Sequence, residues 1–377
     1  MKKISIISKS ENSEKSNMDF SMLVTIIILL CMGLIMVSSA SSYNALSNYS
    51  NSNFYLSKQL MFAVAGVVAM FVISKIDYNI YKKLAYIGFW ASIVLMILVL
   101  VPGVGQERNG ATRWLGIGDF TFQPSEVMKL TLVLAISTYL AINYKKLKTF
   151  KGYVIPIAML ILVMAIMFLQ KHLSGTLVMI IAAASVIFAS GIKIKAKYIV
   201  IGAIIGSLAV AGFILSEEFR LQRIMSFMNP EEDIKDGNWQ AAQSLYAIGS
   251  GGIFGRGLGQ SRQKYLWLPE AQNDFIFSVL GEELGLVGTV SVSLIFAFFI
   301  YRGYRIAITA RDMYGSLIAA GITSVFALQI IVNIAVVTCT IPVTGMPLPF
   351  FSYGGTALAL NLCAMGILLN ISRTCKK

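Results

Sequence analysis

The sequence predicts an all-α polytopic membrane protein with ten transmembrane helices and a large outer loop between the seventh and the eighth helix. Of its 377 residues, 56% are hydrophobic and only 13% are charged, whereas soluble domains carry about 25% charged residues. Apolar runs close to the ~20 residues that cross a bilayer recur along the whole chain. These observations exclude a soluble globular fold and predict one continuous helical bundle.

The predicted organisation is a single membrane domain, residues 19–373, between two short tails. Residues 1–18 are polar and are predicted to be a disordered tail, and residues 374–377 form the second tail. Residues 216–273 are the predicted large outer loop. The ten predicted spans are residues 19–41, 60–74, 84–101, 124–143, 153–169, 175–190, 198–215, 275–300, 315–338 and 353–372.

The basic residues predict the orientation of these spans. Twenty of the 31 Lys and Arg residues lie in six short segments that alternate onto one side of the membrane, and only four lie on the short loops of the other side. Positive charge favours the cytoplasmic side, so both termini are predicted to be cytoplasmic. The net charge of +13 is then mainly a topology signal that suits a bilayer with an anionic inner leaflet. Nucleic-acid binding is not expected, because the basic residues are divided among short loops.

Cysteine and histidine predict no metal centre. The four cysteines have no spacing typical of a disulfide framework or a metal site, so we expect them to be packing residues. The single histidine, His172, has no second His and no Cys near it in sequence, which makes zinc an unexpected ligand. We expect His172 to be a hydrogen-bonded structural residue.

Two charged residues fall just inside the fourth predicted span. Glu126 and Lys129 are three residues apart, so they meet on one face of a helix. Charged residues at membrane depth usually face a cavity or each other. Two interpretations stay open: a neutralising pair that tethers the helix, or a pair that shapes a polar cavity.

A glycine-rich segment, "AIGSGGIFGRGLGQSRQK", covers residues 247–264. It is not a nucleotide-binding loop, because it lacks the Gly-Lys-Ser/Thr ending and a preceding strand. Its cations Arg256, Arg262 and Lys264 have no carboxylate near them in sequence, and an anionic headgroup is one natural partner.

A second irregular segment, "IPVTGMPLPFFSYGGT" at 341–356, holds three prolines. Non-helical backbone at membrane depth is buried in protein or lines a wet cavity, so this segment is a candidate cavity wall.

The stretch "LPEAQNDFIFSVLGEE", residues 268–283, contains four carboxylates. Asp274 begins the eighth predicted span, where it is either a helix N-cap or an accessible functional carboxylate. Glu270 lies one turn earlier. Glu282 and Glu283 lie ~12 Å deeper along a helix with a rise of ~1.5 Å per residue, and we expect both to be structural.

Three long motifs together resemble the SEDS family (shape, elongation, division and sporulation), which includes FtsW, RodA and SpoVE. They are "RNGATRWLGIGDFTFQPSEVMKL" at 108–130, "QSLYAIGSGGIFGRGLGQSRQKYLWLPEAQNDFIFSVLGEELG" at 243–285, and the 341–356 segment. The resemblance covers roughly residues 19–373. It is closer to the division and sporulation branch than to RodA, and within that branch it favours SpoVE.

The resemblance implies a peptidoglycan glycosyltransferase that polymerises lipid II at the outer face of the bacterial cytoplasmic membrane. It also implies a class B penicillin-binding protein, a transpeptidase, as partner. Asp274 matches the family's essential acidic residue and is the expected general base. Glu126 and Lys129 match the family's buried ion pair.

The implied reaction predicts further site residues. The donor would be a glycan on undecaprenyl pyrophosphate, and the leaving pyrophosphate would need cations or a divalent metal such as Mg or Mn. The expected substrate-binding residues are Arg113, Arg256, Arg262, Lys264 and Glu270.

Two other functions remain alternatives at this point. A lipid II flippase or other transporter is compatible with ten spans, although translocation requires polar groups through the full membrane depth. A non-catalytic scaffold for a class B penicillin-binding protein would tolerate replacement of Asp274 by Asn. Loss of polymerisation in that variant would favour the enzyme.

Overall fold

The computed structural model describes residues 18–191 except 109–110 and 118–119, residues 239–375 except 266, and the isolated positions 212 and 227. The described helices are α1 (Phe20–Tyr49), α2 (Phe54–Ile73), α3 (Tyr81–Leu98), α4 (Pro124–Ile142), α5 (Val154–Leu169), α6 (Leu173–Ala189), α7 (Trp239–Gly251), α8 (Ile276–Thr309), α9 (Met313–Val337) and α10 (Gly355–Ser372). The described strands are β1 (Gly105–Arg108), β2 (Ala111–Ile117) and β3 (Phe120–Phe122).

The helical membrane architecture agrees with the sequence. Within the described residues, eight helices are long and apolar enough to cross a membrane: α1 to α5 and α8 to α10. The shorter apolar helix α6 occupies the sixth predicted span. The prediction of an all-α polytopic membrane protein is therefore confirmed. The seventh predicted span, residues 198–215, lies outside the described residues apart from position 212, as do residues 1–17 and most of the loop up to residue 238.

Helix α9 is the centre of the bundle. Most of its side chains are buried, including the polar residues Gln329 and Asn333, and it contacts α4, α6, α8 and α10. A helix that is apolar on all sides is typical of such a central position. The polar side chains of α9 must therefore find their partners inside the protein.

A small antiparallel sheet precedes α4, in the order β1-β2-β3. Leu115 in β2 pairs with Gly105 of β1 and with Phe122 of β3. The sequence did not predict these strands. The strands are short, at most seven residues, so they carry little periodic signal. The sheet leads directly into α4 and places Arg113 beside the start of α6.

Helix α8 contains a break that the sequence did not predict. Gly285 has φ 67° and ψ −164°, a backbone conformation that is essentially limited to glycine. The carbonyls of Glu282 and Glu283 accept hydrogen bonds from the amides of Arg256 and Gly257, at 3.0 and 2.9 Å. The segment 252–257 thus replaces the helical hydrogen bonds that the break removes, as buried backbone groups require.

The amides after the break are satisfied in the same way. Leu286 and Val287 donate to the carbonyls of residues 252 and 253, at 2.9 and 3.1 Å. Residues 286–309 alone are long enough to cross the ~30 Å hydrocarbon core at ~1.5 Å per residue. The predicted span 275–300 therefore falls on α8, but the helix is broken at Gly285. Glu282 and Glu283 lie at the end of the helical segment that precedes the break.

Candidate functional site

The site end of the bundle is the end where segments 101–123, 170–174, 239–275 and 338–354 meet. Asp274 lies here, immediately before α8. The buried Asn333 of α9 donates from Nδ2 to the main-chain carbonyl of Asp274 at 2.8 Å, and to the carbonyl of Met346 at 2.7 Å. One amide group therefore joins the Asp274 segment to segment 338–354.

The two residues before Asp274 are held by the same segment. The Ser352 hydroxyl donates to the carbonyl of Asn273 at 2.6 Å, and the Tyr353 amide donates to the carbonyl of Gln272 at 2.9 Å. Together with the Asn333 contact, three consecutive carbonyls are bound by groups from α9 and segment 338–354. The backbone that carries the Asp274 side chain is therefore fixed by the tertiary structure.

The Asp274 side chain does not cap a helix. The cap position of α8 is Phe275, which has no side-chain capping hydrogen bond, so the N-cap interpretation of Asp274 is wrong. The carboxylate is partly exposed and faces the irregular segment. A Cβ built on Gly345 would lie 3.4 Å from Asp274 Oδ2. The 341–356 segment thus forms a wall beside Asp274, as predicted.

The same segment contacts the start of α6. The Ser174 hydroxyl donates to the carbonyl of Thr344, the neighbour of Gly345. His172 caps α6 by accepting from the Gly175 amide at Nδ1, at 2.8 Å, and its Nε2 lies 2.7 Å from the side-chain amide of Gln123. The expectation that His172 is a hydrogen-bonded structural residue is confirmed.

The protonation of His172 follows from these contacts. Desolvation by burial, reinforced by the Arg113 guanidinium, lowers the pKa of His172 to about 3. The ring is therefore neutral, and because Nδ1 accepts a hydrogen bond, Nε2 carries the proton. Gln123 must then present its side-chain oxygen to the ring, since the oxygen and nitrogen of an amide are assigned from such networks.

Arg113 lies on β2, close to His172. Its guanidinium donates to the carbonyl of Lys171. The predicted ion pair is also present, with Lys129 Nζ 2.6 Å from Glu126 Oε2 and both side chains largely buried. This pair lines a narrow crevice between α4, α9 and α10. The structure therefore supports the interpretation of a neutralising pair, because the two charges contact each other and the crevice that they line is otherwise mostly apolar.

Lys264 is not available to a substrate. Its side chain is only 4% exposed. Its ammonium group lies 3.3 Å from Glu283 Oε1, 2.6 Å from the carbonyl of Gly259 and 3.3 Å from the Ser39 hydroxyl. The substrate-binding prediction for Lys264 is therefore wrong: its charge is neutralised by a carboxylate 19 residues away in sequence, which local spacing could not show.

Glu282 and Glu283 are both fully buried and structural, as predicted. Glu282 accepts hydrogen bonds from the Ser261 hydroxyl and from the amides of Arg262 and Gln263, at 2.5, 2.9 and 3.2 Å. Glu283 accepts from the Ser39 hydroxyl and the Ser261 amide. The two carboxylates therefore tie the glycine-rich segment to α8 and α1.

The other predicted contact residues remain accessible. Arg256 lies 3.6 Å from Glu282 and is 31% exposed, so the expectation of cations without a nearby carboxylate is wrong here too. The exposed side chain of Arg262 has no hydrogen bond or ion pair to the described residues. Glu270 is exposed, has a left-handed backbone with φ 55°, and its carboxylate accepts from Asn273 Nδ2. It therefore lies in the same turn as Asp274.

Sequence reasoning missed Asn333 and Ser352. A polar Asn within the apolar run of the ninth predicted span was the available signal, because intramembrane polar groups need internal partners.

The described part of the chain has no cluster of protein ligands for the expected Mg or Mn ion. No group of three or more His, Cys, Asp and Glu residues there could hold a metal. The described side chains therefore do not fit a resident all-protein metal site.

Known proteins resemble the chain over nearly its full length. The model of the FtsW, RodA and SpoVE family, described as cell cycle protein, matches residues 20–377. Stage V sporulation protein E of Bacillus subtilis is 43% identical, over 96% of this chain and 98% of that protein. A probable peptidoglycan glycosyltransferase FtsW of Geobacter is 38% identical, over 94% and 96% of the two chains.

Solved structures agree with these relatives. RodA of Thermus thermophilus superposes with a TM-score of 0.69 at 26% identity, covering 96% of this chain and 98% of that chain. A chain from a peptidoglycan synthase complex that coordinates polymerisation and crosslinking gives a TM-score of 0.77 at 26% identity, covering 94% and 98%. The chain is thus a multi-pass membrane protein that belongs to the FtsW, RodA and SpoVE family of cell cycle proteins.

Proposed function

We propose that this chain is an inverting peptidoglycan glycosyltransferase that polymerises lipid II into glycan strands at the outer face of the cytoplasmic membrane, in cell division or sporulation. The observation that carries the proposal is Asp274, a partly exposed carboxylate at the site end whose backbone is bound on three consecutive carbonyls. Relatives named as probable peptidoglycan glycosyltransferases support this activity.

The proposed chemistry assigns Asp274 as general base. Its carboxylate takes the proton of the C4 hydroxyl on the acceptor sugar while that oxygen attacks C1 of the donor glycan. The new C1–O4 bond forms as the bond from C1 to the pyrophosphate oxygen breaks, so the stereochemistry at C1 inverts. A positioned general base typically contributes 10²–10⁴-fold in rate.

Arg113 is the cation proposed to stabilise the leaving pyrophosphate. It lies beside His172, which caps α6. Ser174, in the first turn of α6, contacts Thr344, and the next residue, Gly345, lies beside the Asp274 carboxylate. The Arg113 guanidinium donates to the main-chain carbonyl of Lys171, and the neighbouring His172 ring stays neutral. Fixed positive charge at a site where negative charge develops lowers the barrier.

The orientation and the partner are part of the proposal. The distribution of basic residues supports cytoplasmic termini and an outward-facing site end. Similarity to a chain of a complex that coordinates polymerisation and crosslinking supports a class B penicillin-binding protein as partner. The two lipid-linked substrates then approach from the outer leaflet.

The decisive experiment is polymerisation of labelled lipid II by the purified full-length chain with its cognate transpeptidase. We expect Asp274→Asn to lose activity about 10²–10⁴-fold, while the control Asp77→Asn, at an exposed carboxylate on a turn at the opposite end, stays near wild type. Copurification with the transpeptidase checks that both variants fold. Normal polymerisation by Asp274→Asn would overturn the mechanism.

The same variants separate the two alternatives. A transporter would move labelled lipid II across proteoliposomes with Asp274→Asn as well as with wild type, and no glycan would form with either. A scaffold would stimulate its partner equally with both forms. Polymer formation that depends on Asp274 and on no added glycosyltransferase excludes both alternatives.

A further inference from the structure

A second charged region at the site end lies apart from Arg113. It is an open groove of about 440 Å³ between α7, the glycine-rich segment and the part of α8 before Gly285. Ligand sites commonly measure ~300–1,000 Å³. The side chains that matter in the groove are Leu245, Tyr246, Arg256 and Arg262.

Two arginines and one carboxylate, Arg256, Arg262 and Glu282, line the groove, so its described lining has a net positive charge. Glu282 contributes to the lining, but its carboxylate is fully buried and already accepts three hydrogen bonds from residues 261–263. Arg256 is partly exposed, 3.6 Å from Glu282 Oε1, and its Nε donates to the Ser250 carbonyl at 3.2 Å. The exposed Arg262 guanidinium has no hydrogen bond or ion pair to the described residues. Two arginines therefore face the opening, and forked guanidinium groups suit phosphate oxygens.

Apolar surface adjoins these arginines. Leu245 and Tyr246 on α7 are exposed within the groove. The neighbouring Phe254 is 82% exposed, and the next turn of α8 after the break exposes Leu286 and Val287. Main-chain hydrogen bonds hold residues 252 and 253 against this part of α8. The groove therefore has cations beside the part of α8 before Gly285 and exposed apolar side chains beside the part after it. This arrangement fits a phosphate that is attached to a lipid chain.

We propose that this groove binds the diphosphate of the acceptor lipid, with Arg256 and Arg262 on the phosphates and Leu245 and Tyr246 against the first units of the polyprenyl chain. The inference rests on the proposed function, since a polymerase of lipid-linked sugars holds two diphosphates at once. The acceptor places its C4 hydroxyl at Asp274 and its own diphosphate one disaccharide away.

The distance along α8 agrees with this arrangement. From Ile276, two residues after Asp274, to Glu282 in the groove the helix rises ~9 Å at ~1.5 Å per residue. That separation is comparable with the length of one disaccharide. Lys264 has no part in this site, because its ammonium group is buried against Glu283.

Lipid binding tests the proposal without requiring turnover. The full-length chain would be titrated in detergent with undecaprenyl diphosphate, and native mass spectrometry would count bound lipids. We expect wild type and Asp274→Asn to bind two molecules. Arg262→Gln and Arg256→Gln should weaken one of the two binding events about tenfold, as loss of a charge-assisted hydrogen bond predicts. Arg262→Lys, which keeps the charge, should recover part of that loss.

A matched control and two further probes make the result specific. Arg311→Gln removes an exposed arginine at the opposite end of the bundle and should leave both binding events unchanged. Phosphatidylglycerol and inorganic pyrophosphate should each fail to displace the second lipid. Displacement by phosphatidylglycerol would assign the groove to bulk anionic lipid, and displacement by pyrophosphate would assign it to free diphosphate. Equal binding of the second lipid by all variants would exclude the site. Each of these results would overturn the proposal.

Failure of the proposed function would look different. If Asp274→Asn polymerises normally while Arg262→Gln still loses one lipid, the catalytic assignment is wrong and the groove stands. If Asp274→Asn is inactive while all variants bind two lipids, the catalytic assignment stands and the groove is wrong.

Discussion

Asn333 Nδ2 donates a 2.8 Å hydrogen bond to the main-chain carbonyl of Asp274, across 59 residues of sequence. The same nitrogen also serves Met346, so one buried side chain joins the candidate base to the segment that lies against it. Asn333 belongs to the central helix α9 and is 1% exposed. The position of Asp274 therefore depends on the bundle core as well as on its own loop.

Replacing Asn333 by Ala should reduce kcat more than it changes KM. The change leaves two carbonyls without their donor, and each lost partner costs roughly 1–3 kcal/mol. The matched control is Asn370→Ala, a buried Asn whose Nδ2 donates to the Ser74 carbonyl at the opposite end of the bundle. Thermal denaturation should show comparable losses for both variants. Equal kcat in the two variants would mean that Asn333 has no positioning role.

Gly345→Ala should impair polymerisation through its contact with Asp274. Gly345 has φ +67°, and an added Cβ would lie 3.4 Å from Asp274 Oδ2. The left-handed conformation itself costs about 1–2 kcal/mol for a residue with a Cβ. Gly191→Ala carries the same conformational cost at φ +78° with no atom within 4 Å. We expect similar thermal stability for the two variants and a lower polymerisation rate only for Gly345→Ala.

The buried pair of Lys264 and Glu283 should behave as a coupled unit. Lys264→Met leaves a buried carboxylate uncompensated, and Glu283→Gln leaves a buried ammonium group, each at a cost of about 3–5 kcal/mol. The double variant removes both charges and keeps an acceptor oxygen for the Ser39 hydroxyl. Thermal denaturation in detergent should give the double variant a higher Tm than either single variant. Additive losses would show that the two charges are not coupled.

His172 should make stability depend on pH. Its folded pKa of about 3 lies below the ordinary value of 6.5, so the unfolded chain binds the proton more readily. Its contribution to stability is therefore complete above about pH 6.5 and decreases on acidification towards about pH 3, by at most about 1.4 kcal/mol per pH unit.

His172→Asn tests this dependence cleanly. It keeps a good helix cap and removes the only histidine of the chain. Thermal denaturation at about pH 7 and at about pH 5 should show that acidification lowers the Tm of wild type more than the Tm of the variant. Parallel losses would show that the ring does not titrate as described.

Local patterns predicted much of the fold. Apolar length identified nine helices now seen in the described residues, because a helix that crosses a bilayer satisfies its backbone within itself and shows its span in composition alone. The three-residue spacing of Glu126 and Lys129 predicted an ion pair, because that spacing brings side chains together on any helix. The resemblance, rather than spacing, distinguished Asp274 from the carboxylates around it.

The break at Gly285 shows where local patterns stop being informative. The apolar sequence around it continues as if one helix crossed the membrane, yet residues 252–257 take over its hydrogen bonds. The short sheet before α4 was missed for a related reason, since its strands are defined by pairing across loops and not by a long period.

The sequence by itself determined the membrane class, the spans and the pairs that lie within one helical turn. Only the tertiary structure decided which charges are free and how Asp274 is held. Ser39 meets Glu283 across 244 residues, and the same buried cluster neutralises Lys264. Such contacts depend on how helices pack, because the free energy of a buried charge is set by the groups around it in space. A cation that looked unpaired in sequence could therefore prove to be structural, while Arg262 remained accessible in the groove.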